Sequence, residues 1–132
     1  MRTMPILFIL IVVGYVGFEL YGLHRAKERM DPVTILDKFY LADRATSRCG
    51  EPEGDDLKRF QRNLGLAESR ATRALDERNP DASGDEIAEM LDARREARVQ
   101  EVDAIIQARG CDDRDIYILL RQFEIWARHL AG

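Results

Sequence analysis

Apolar residues recur at intervals of three and four along most of the chain after residue 30, which is the spacing of a helix with one buried face. The first helix is predicted to begin at Pro32, after Asp31 as its N-cap, and to end near Arg48. Its predicted inward residues are Leu36, Phe39, Tyr40 and Ala42. The second helix is predicted to begin near Asp55 and to end before Asn79. Its apolar positions are Leu57, Phe60, Leu64, Ala67, Ala71 and Ala74.

Two more helices follow. Ser83 and Glu86 form a capping box in which each is predicted to satisfy the other's backbone N–H, and this third helix runs to about Arg109, before Gly110. Its apolar residues gather at its two ends, and residues 92–98 between them are mostly charged. The fourth helix starts after Asp112 and carries one broad apolar face: Ile116, Leu119, Leu120, Phe123, Trp126, Ala127 and Leu130. Residues 31–132 are therefore predicted to be an all-α domain, a small antiparallel four-helix bundle.

Residues 1–30 have a different character. No charged residue lies between Met4 and Phe18, and with Glu19 as the one interruption the apolar segment from Pro5 to Leu23 is 19 residues long. As a helix it would measure roughly 28 Å, close to the thickness of the hydrocarbon core of a bilayer. The sequence predicts that residues 5–23 form an N-terminal transmembrane helix within a membrane anchor and basic juxtamembrane segment, residues 1–30. A cleaved signal peptide is the alternative, but the residues after the apolar run are bulky where a signal peptidase requires small ones.

The charge of the chain divides at the same place. Residues 1–30 have a net charge of +2, whereas residues 31–132 contain 16 basic and 22 acidic residues, a net charge of −6. A net-negative domain without a basic stripe is repelled by phosphate, so no nucleic-acid partner is expected. Arginine outnumbers lysine 17 to 3, a composition that suits a GC-rich bacterium.

The two cysteines, Cys49 and Cys111, follow the predicted ends of the first and third helices. In an up-and-down bundle these helices run in the same direction, so a disulfide between them is predicted, and with it an oxidising compartment. The positive-inside rule, applied to the basic residues 25–29, points instead to the cytoplasm. Because the charge difference is small, the disulfide decides: we expect a single-pass protein of a bacterial inner membrane with its C-terminal domain in the periplasm. No metal or cofactor is expected, since the cysteines lack zinc-site spacing.

Acidic residues collect around the predicted disulfide: Glu51, Glu53, Asp55, Asp56, Asp112, Asp113 and Asp115. Acidic side chains at helix N-termini are stabilised by the helix dipole, and this explains most of them. The alternative is a divalent-cation site, although the spacing matches no EF-hand loop. We expect this acidic end to lie away from the membrane, as a candidate surface for a partner or a cation.

Two further groups stand out on the predicted helices. Arg94, Arg95 and Arg98 interrupt the apolar stripe of the third helix. They either pair with acidic residues of a neighbouring helix or lie on the solvated face of their own helix, and the alternative is an anion pocket inside the bundle. Tyr117, Ile118 and Ile125 project opposite the core face of the fourth helix, where they are either ordinary exposed residues or a seam for a partner or a second copy of the chain.

No nucleophile is paired with a base in this sequence, so no catalytic residue is assigned and an enzyme is not expected. The anchor and the small bundle favour a membrane-anchored periplasmic interaction module that binds a protein partner as an adaptor, inhibitor, immunity protein or assembly subunit. The alternative is a periplasmic sensor or ligand-binding bundle for a cation or a small anion.

Overall fold

The computed structural model describes residues 31–129, which form four helices. These are α1 (Pro32–Cys49), α2 (Gly54–Arg78), α3 (Gly84–Arg109) and α4 (Arg114–His129). The prediction of an all-helical bundle with four helices after residue 31 is confirmed, and the predicted bounds agree with the observed ones to within about a residue. The predicted anchor at residues 5–23 and the core position Leu130 lie outside the described residues. Within residues 31–129, no helix combines the length and the apolar character that crossing a bilayer requires.

Local side-chain chemistry sets several helix ends. Ser83 caps α3, because its Oγ accepts a hydrogen bond from the backbone N–H of Glu86 at 3.1 Å. The second half of the capping box was predicted as a hydrogen bond from the backbone N–H of Ser83 to the Glu86 side chain. In the structure the Glu86 carboxylate instead accepts a hydrogen bond from the Ser83 hydroxyl, at 3.3 Å. At the other end of α3, Gly110 has φ +80° and its N–H donates to the carbonyl of Ile106 at 2.8 Å. Glycine suits this position because a side chain disfavours positive φ.

Helix α1 is the centre of the bundle and packs closely against each of the other three helices. Its buried face includes all four predicted residues, and Val33, Asp37, Ala45 and Thr46 are buried as well. Phe39 contacts Phe60 of α2, with ring centroids 5.4 Å apart, and stacks on Trp126 of α4 at 4.4 Å. The arrangement is not a simple ring of sequence neighbours, because α3 packs much more closely against α1 than against α2 or α4.

The direction of α3 follows from its contacts with α1. Asp37 of α1 pairs with Arg94 of α3. Seven residues further along α1, Arg44 pairs with Asp103, which is nine residues further along α3. Near the end of both helices, Cys49 bonds to Cys111. Because both residue numbers rise together, the two helices run in the same direction. This is the orientation predicted from the up-and-down topology, and it places the ends of α1 and α3 at the same end of the bundle.

The apolar core divides into two clusters. The larger one joins α1, α2 and α4 with the first turns of α3 through Ile87, Met90 and Leu91. The smaller one, around Ala45, Val102 and Ile116, lies toward the disulfide. Between the two, the interface of α1 with α3 is ionic, which explains why residues 92–98 can be mostly charged without leaving an apolar face uncovered.

Candidate functional site

The disulfide fixes one end of the bundle. Cys49 is the last residue of α1, and Cys111 follows the Gly110 turn at the end of α3. The two cysteines are bonded, with their Cα atoms 5.5 Å apart and 62 residues apart in sequence. The disulfide predicted from the helix ends is therefore confirmed.

A cleft of about 550 Å³ opens beside the disulfide, between the connection from α1 to α2 and one flank of α4. Its lining comes from the end of α1, the connecting loop, the first turn of α2, and α4: Thr46, Cys49, Gly50, Glu51, Pro52, Glu53, Asp56, Leu120, Phe123, Glu124 and Arg128. The loop lies tightly on its neighbours at Gly50. A Cβ atom there would lie 3.1 Å from Cγ2 of Thr46 and 3.2 Å from Cδ2 of Leu120, so glycine permits this close approach.

The lining of the cleft is strongly acidic, with four carboxylates and the guanidinium of Arg128. Arg128 is held by Asp56, with Nη2 of the arginine 3.4 Å from Oδ2 of the aspartate. Glu124 lies 3.5 Å from Arg121, one turn earlier on the exposed side of α4. Glu51 and Glu53, which flank Pro52, are exposed and make no ion pair with another residue in the range 31–129.

Three of the seven acidic residues predicted as a surface, Glu51, Glu53 and Asp56, line this cleft, and Asp55 is exposed on the first turn of α2. Two of the three acidic residues near the other loop, Asp113 and Asp115, have structural roles. Asp113 caps α4 by accepting a hydrogen bond from the N–H of Asp115 at 3.0 Å, and Asp115 itself lies 3.3 Å from Arg109. Asp112 is exposed. Among the described residues, no group of three or more His, Cys, Asp or Glu side chains is placed to hold a metal ion.

The arginines of α3 contact α1. Arg94 donates two hydrogen bonds to the buried carboxylate of Asp37, and Nη1 of Arg98 lies 3.8 Å from the same carboxylate. These residues line a small cleft of about 300 Å³. Arg95 lies apart from them, over the ring of Tyr40, 5.5 Å from its centroid. The structure therefore brings two of the three arginines together, around a carboxylate that already satisfies part of their charge.

Electrostatic effects at side chains of α1 and its neighbours follow from burial and pairing. Burial, together with the nearby carboxylate of Glu68, raises the pKa of Tyr40 to about 12. The hydrogen bonds from Arg44 lower the pKa of Asp103, since they favour the charged carboxylate. Burial raises the pKa of Asp43, and the nearby arginines 95 and 44 only partly oppose this.

The apolar residues predicted on the outside of α4 are exposed. The exposed fractions of Tyr117, Ile118 and Ile125 are 60%, 42% and 49%. Leu66 on α2 is similarly exposed, at 44%, and was not among the predicted positions. Glu124 and Arg128 in the cleft were also missed, because they join the loop only through the packing of α4 and no local pattern marks them.

No protein family, curated protein or solved structure matches this chain.

Proposed function

We propose that this chain is a single-pass protein of a bacterial inner membrane, anchored by residues 5–23, and that its helical domain binds a protein partner in the periplasm. In this role it acts as an adaptor, an inhibitor or immunity protein, or an assembly subunit. The observation that carries the proposal is the exposed apolar surface on α4.

Large apolar side chains are exposed at four positions among the described residues, and three of them, Tyr117, Ile118 and Ile125, lie on α4. The two isoleucines are seven residues apart, so they lie on one side of the helix about 10 Å from each other. Apolar side chains that the domain's own core does not cover favour a protein-binding surface. We name this surface, Tyr117, Ile118 and Ile125, the α4 outer face.

The compartment is supported by the disulfide. Bridges such as Cys49–Cys111 persist in oxidising environments and are rare in the cytosol. Alkylation of the freshly isolated protein, with and without reductant, measures the state of both cysteines by mass. Two free thiols before reduction would contradict the periplasmic location.

The partner is tested by site-specific photo-crosslinking of the full-length protein in its own membrane. A photoreactive phenylalanine derivative replaces Ile118 or Ile125 in turn, and the matched control carries it at Leu66, which is equally exposed but lies on α2. We expect the same adduct from both α4 positions and none from position 66. An adduct of twice the mass of the chain would identify a second copy as the partner. Adducts that do not depend on position, or none at all, would count against the proposal.

A ligand-binding bundle is the second candidate, and the 300 Å³ cleft at Arg94 and Arg98 favours it. Arg98 also pairs with Glu101 at 3.2 Å, so a small oxyanion would be held by those N–H donors of the two guanidinium groups that Asp37 and Glu101 do not use. A rise in melting temperature with phosphate or sulfate, which is lost in Arg98→Gln, would support this function. The absence of any rise at millimolar anion would contradict it.

A further inference from the structure

We propose that the cleft beside the disulfide is a binding site for a basic segment of a polypeptide, which inserts an arginine or lysine side chain between the connecting loop and α4. The residues of this site are separate from the α4 outer face: none of Tyr117, Ile118 and Ile125 lines the cleft. The two proposals can therefore fail independently.

The charge of the cleft indicates a cationic ligand. Its four carboxylates face a single internal cation, Arg128, which Asp56 already binds. Glu51 and Glu53 remain without an ion pair among the described residues, and both are attached to the loop on either side of Pro52. Because proline restricts the backbone at this point, the two glutamates are held near the mouth of the cleft at a low entropic cost.

The pair between Arg128 and Asp56 also indicates the kind of cation. It shows that a carboxylate of this cleft accepts a guanidinium group in the conformation that the structure describes, with the nitrogen and oxygen atoms 3.4 Å apart. A second basic side chain would meet the remaining glutamates in the same way. Guanidinium groups suit such sites because their five N–H donors form paired hydrogen bonds with carboxylates.

The size and lining of the cleft favour a long organic cation over a metal ion. The carboxylates surround a space of about 550 Å³, which lies in the range of pockets that hold organic ligands. Leu120, Phe123 and Pro52 add apolar surface to it. Arginine and lysine combine an aliphatic stem with a charged head, so the stem can lie on these residues while the head reaches the glutamates.

One polar group of the lining is independent of this charge. The Thr46 side chain is almost fully buried, with 5% of the residue exposed, and its Oγ1 makes no hydrogen bond with any other described residue. Buried polar atoms usually have a partner, and those without one often mark a place where a ligand or a water supplies it. Thr46 lines the cleft, next to the loop that carries both glutamates. The oxygen itself is covered from solvent and a hydroxyl both donates and accepts, so a water placed between it and a bound segment is the group that would complement it.

The site is also preformed. Cys49, the residue before the loop, is bonded to Cys111, and the backbone of Gly50, the first loop residue, packs against Thr46 and Leu120. The start of the loop is therefore fixed by a covalent bond and by packing. A rigid site loses little conformational freedom when it binds a ligand.

The experiment uses the full-length chain in detergent and a short fluorescent peptide with two arginines in an alanine and glycine background. Binding is measured by fluorescence anisotropy at low and physiological salt. The control peptide replaces both arginines by citrulline, which has nearly the same shape without the charge. We expect the arginine peptide to bind more tightly than the citrulline peptide, and the difference to shrink as salt screens the charges.

Variants locate the binding. The double variant Glu51→Gln with Glu53→Gln should bind the arginine peptide about tenfold more weakly, which is the effect of losing two exposed ion pairs. The matched control, Glu77→Gln with Glu89→Gln, removes the same charge from exposed positions on α2 and α3 and should leave the affinity unchanged. Glu124→Lys places a cation in the cleft and should also block binding, so the result does not depend on one pair of substitutions.

Equal affinity for the arginine and citrulline peptides would overturn the proposal, and so would equal affinity of the cleft variants and the control variant for the arginine peptide. If spermidine displaced the fluorescent peptide as well as the unlabelled arginine peptide does, the cleft would be a site for small cations, and the proposal would also be overturned. Ile118→Asp with Ile125→Asp should leave peptide binding unchanged, because these residues lie outside the cleft. Loss of peptide binding in this variant, with the fold intact by circular dichroism, would mean that the peptide binds to the α4 outer face instead.

Discussion

Removal of the disulfide should be among the most destabilising changes that the domain can undergo. The bridge joins residues 62 positions apart. In the chain-entropy description, closing a loop of this length stabilises the folded state by about 4 kcal/mol at 25 °C. A domain of about a hundred residues has an unfolding entropy near 0.2 kcal/mol per kelvin at its midpoint, so Cys49→Ala with Cys111→Ala should lower the melting temperature by about 20 °C.

The measurement is thermal and urea unfolding of the full-length chain in detergent, followed by circular dichroism. Three further samples serve as controls: the wild-type protein under reductant, Cys49→Ala alone and Cys111→Ala alone. Each of them lacks the same covalent bond, so all should melt close to the double variant. The dependence of stability on urea should become steeper, because an unfolded chain without the crosslink exposes more surface.

Two results would refute this reasoning. A loss of stability below about 1 kcal/mol would mean that the crosslink does little to restrict the unfolded chain. If the two single substitutions gave effects that add up to the double variant, the cysteines would contribute through separate packing contacts and not through a shared bond.

Other predictions concern single side chains and are measured by the same unfolding experiments. Burial raises the pKa of Asp43 above its value in the unfolded chain, so folding opposes its charge at neutral pH. Asp43→Asn should therefore raise the melting temperature at pH 7, with a gain that shrinks as the pH falls through the raised pKa and disappears below 3.8, where both states are protonated. A gain that does not change with pH would contradict this cause. Asp37→Ala should lower the free energy of unfolding by about 2 kcal/mol, because it leaves Arg94 and Arg98 facing each other without their shared carboxylate. An effect near zero would show that solvent already screens these three charged side chains. Gly65→Ala should stabilise the domain by about 0.5 to 1 kcal/mol, since Gly65 lies inside α2 with open space around its Cβ position. Gly110→Ala should destabilise the domain by about 1 kcal/mol because of the positive φ of Gly110. Effects of the same sign for the two substitutions would contradict the backbone argument.

Local chemistry is the part of this fold that could be read from the sequence. Pro32, Ser83 and Gly110 each act through their own backbone or an adjacent turn, and α1 and α3 begin, and α3 ends, where these residues predicted. The apolar spacing also identified four of the eight buried residues of α1, and the other four were missed because three helices cover α1, which buries more than one face. The position of the cysteines at two helix ends was sufficient to predict their bond, since the direction of alternate helices follows from short connections.

The relation between neighbouring helices could not be read in this way. Whether Arg94 contacts Asp37 or solvent depends on the register of α3 along α1, and the sequence carries no local record of that register. The cleft has the same origin. Glu51 and Glu53 belong to a loop, whereas Glu124 and Arg128 come from a helix about seventy residues later, and only the tertiary packing brings them together.

The ionic interface between α1 and α3 has a consequence for how the domain opens. Apolar contacts hold α3 at its two ends, and its middle is bound by charged side chains that water can replace. Amide hydrogens in residues 92–98 should therefore exchange with solvent through partial openings of lower free energy than those of α1, which packs against the other three helices. Because the disulfide at Cys111 keeps the end of α3 attached to α1, α3 can separate from α1 in such an opening and return to the same position. The domain would then behave as two cooperative units: one formed by α1, α2 and α4, and the other by the tethered helix α3.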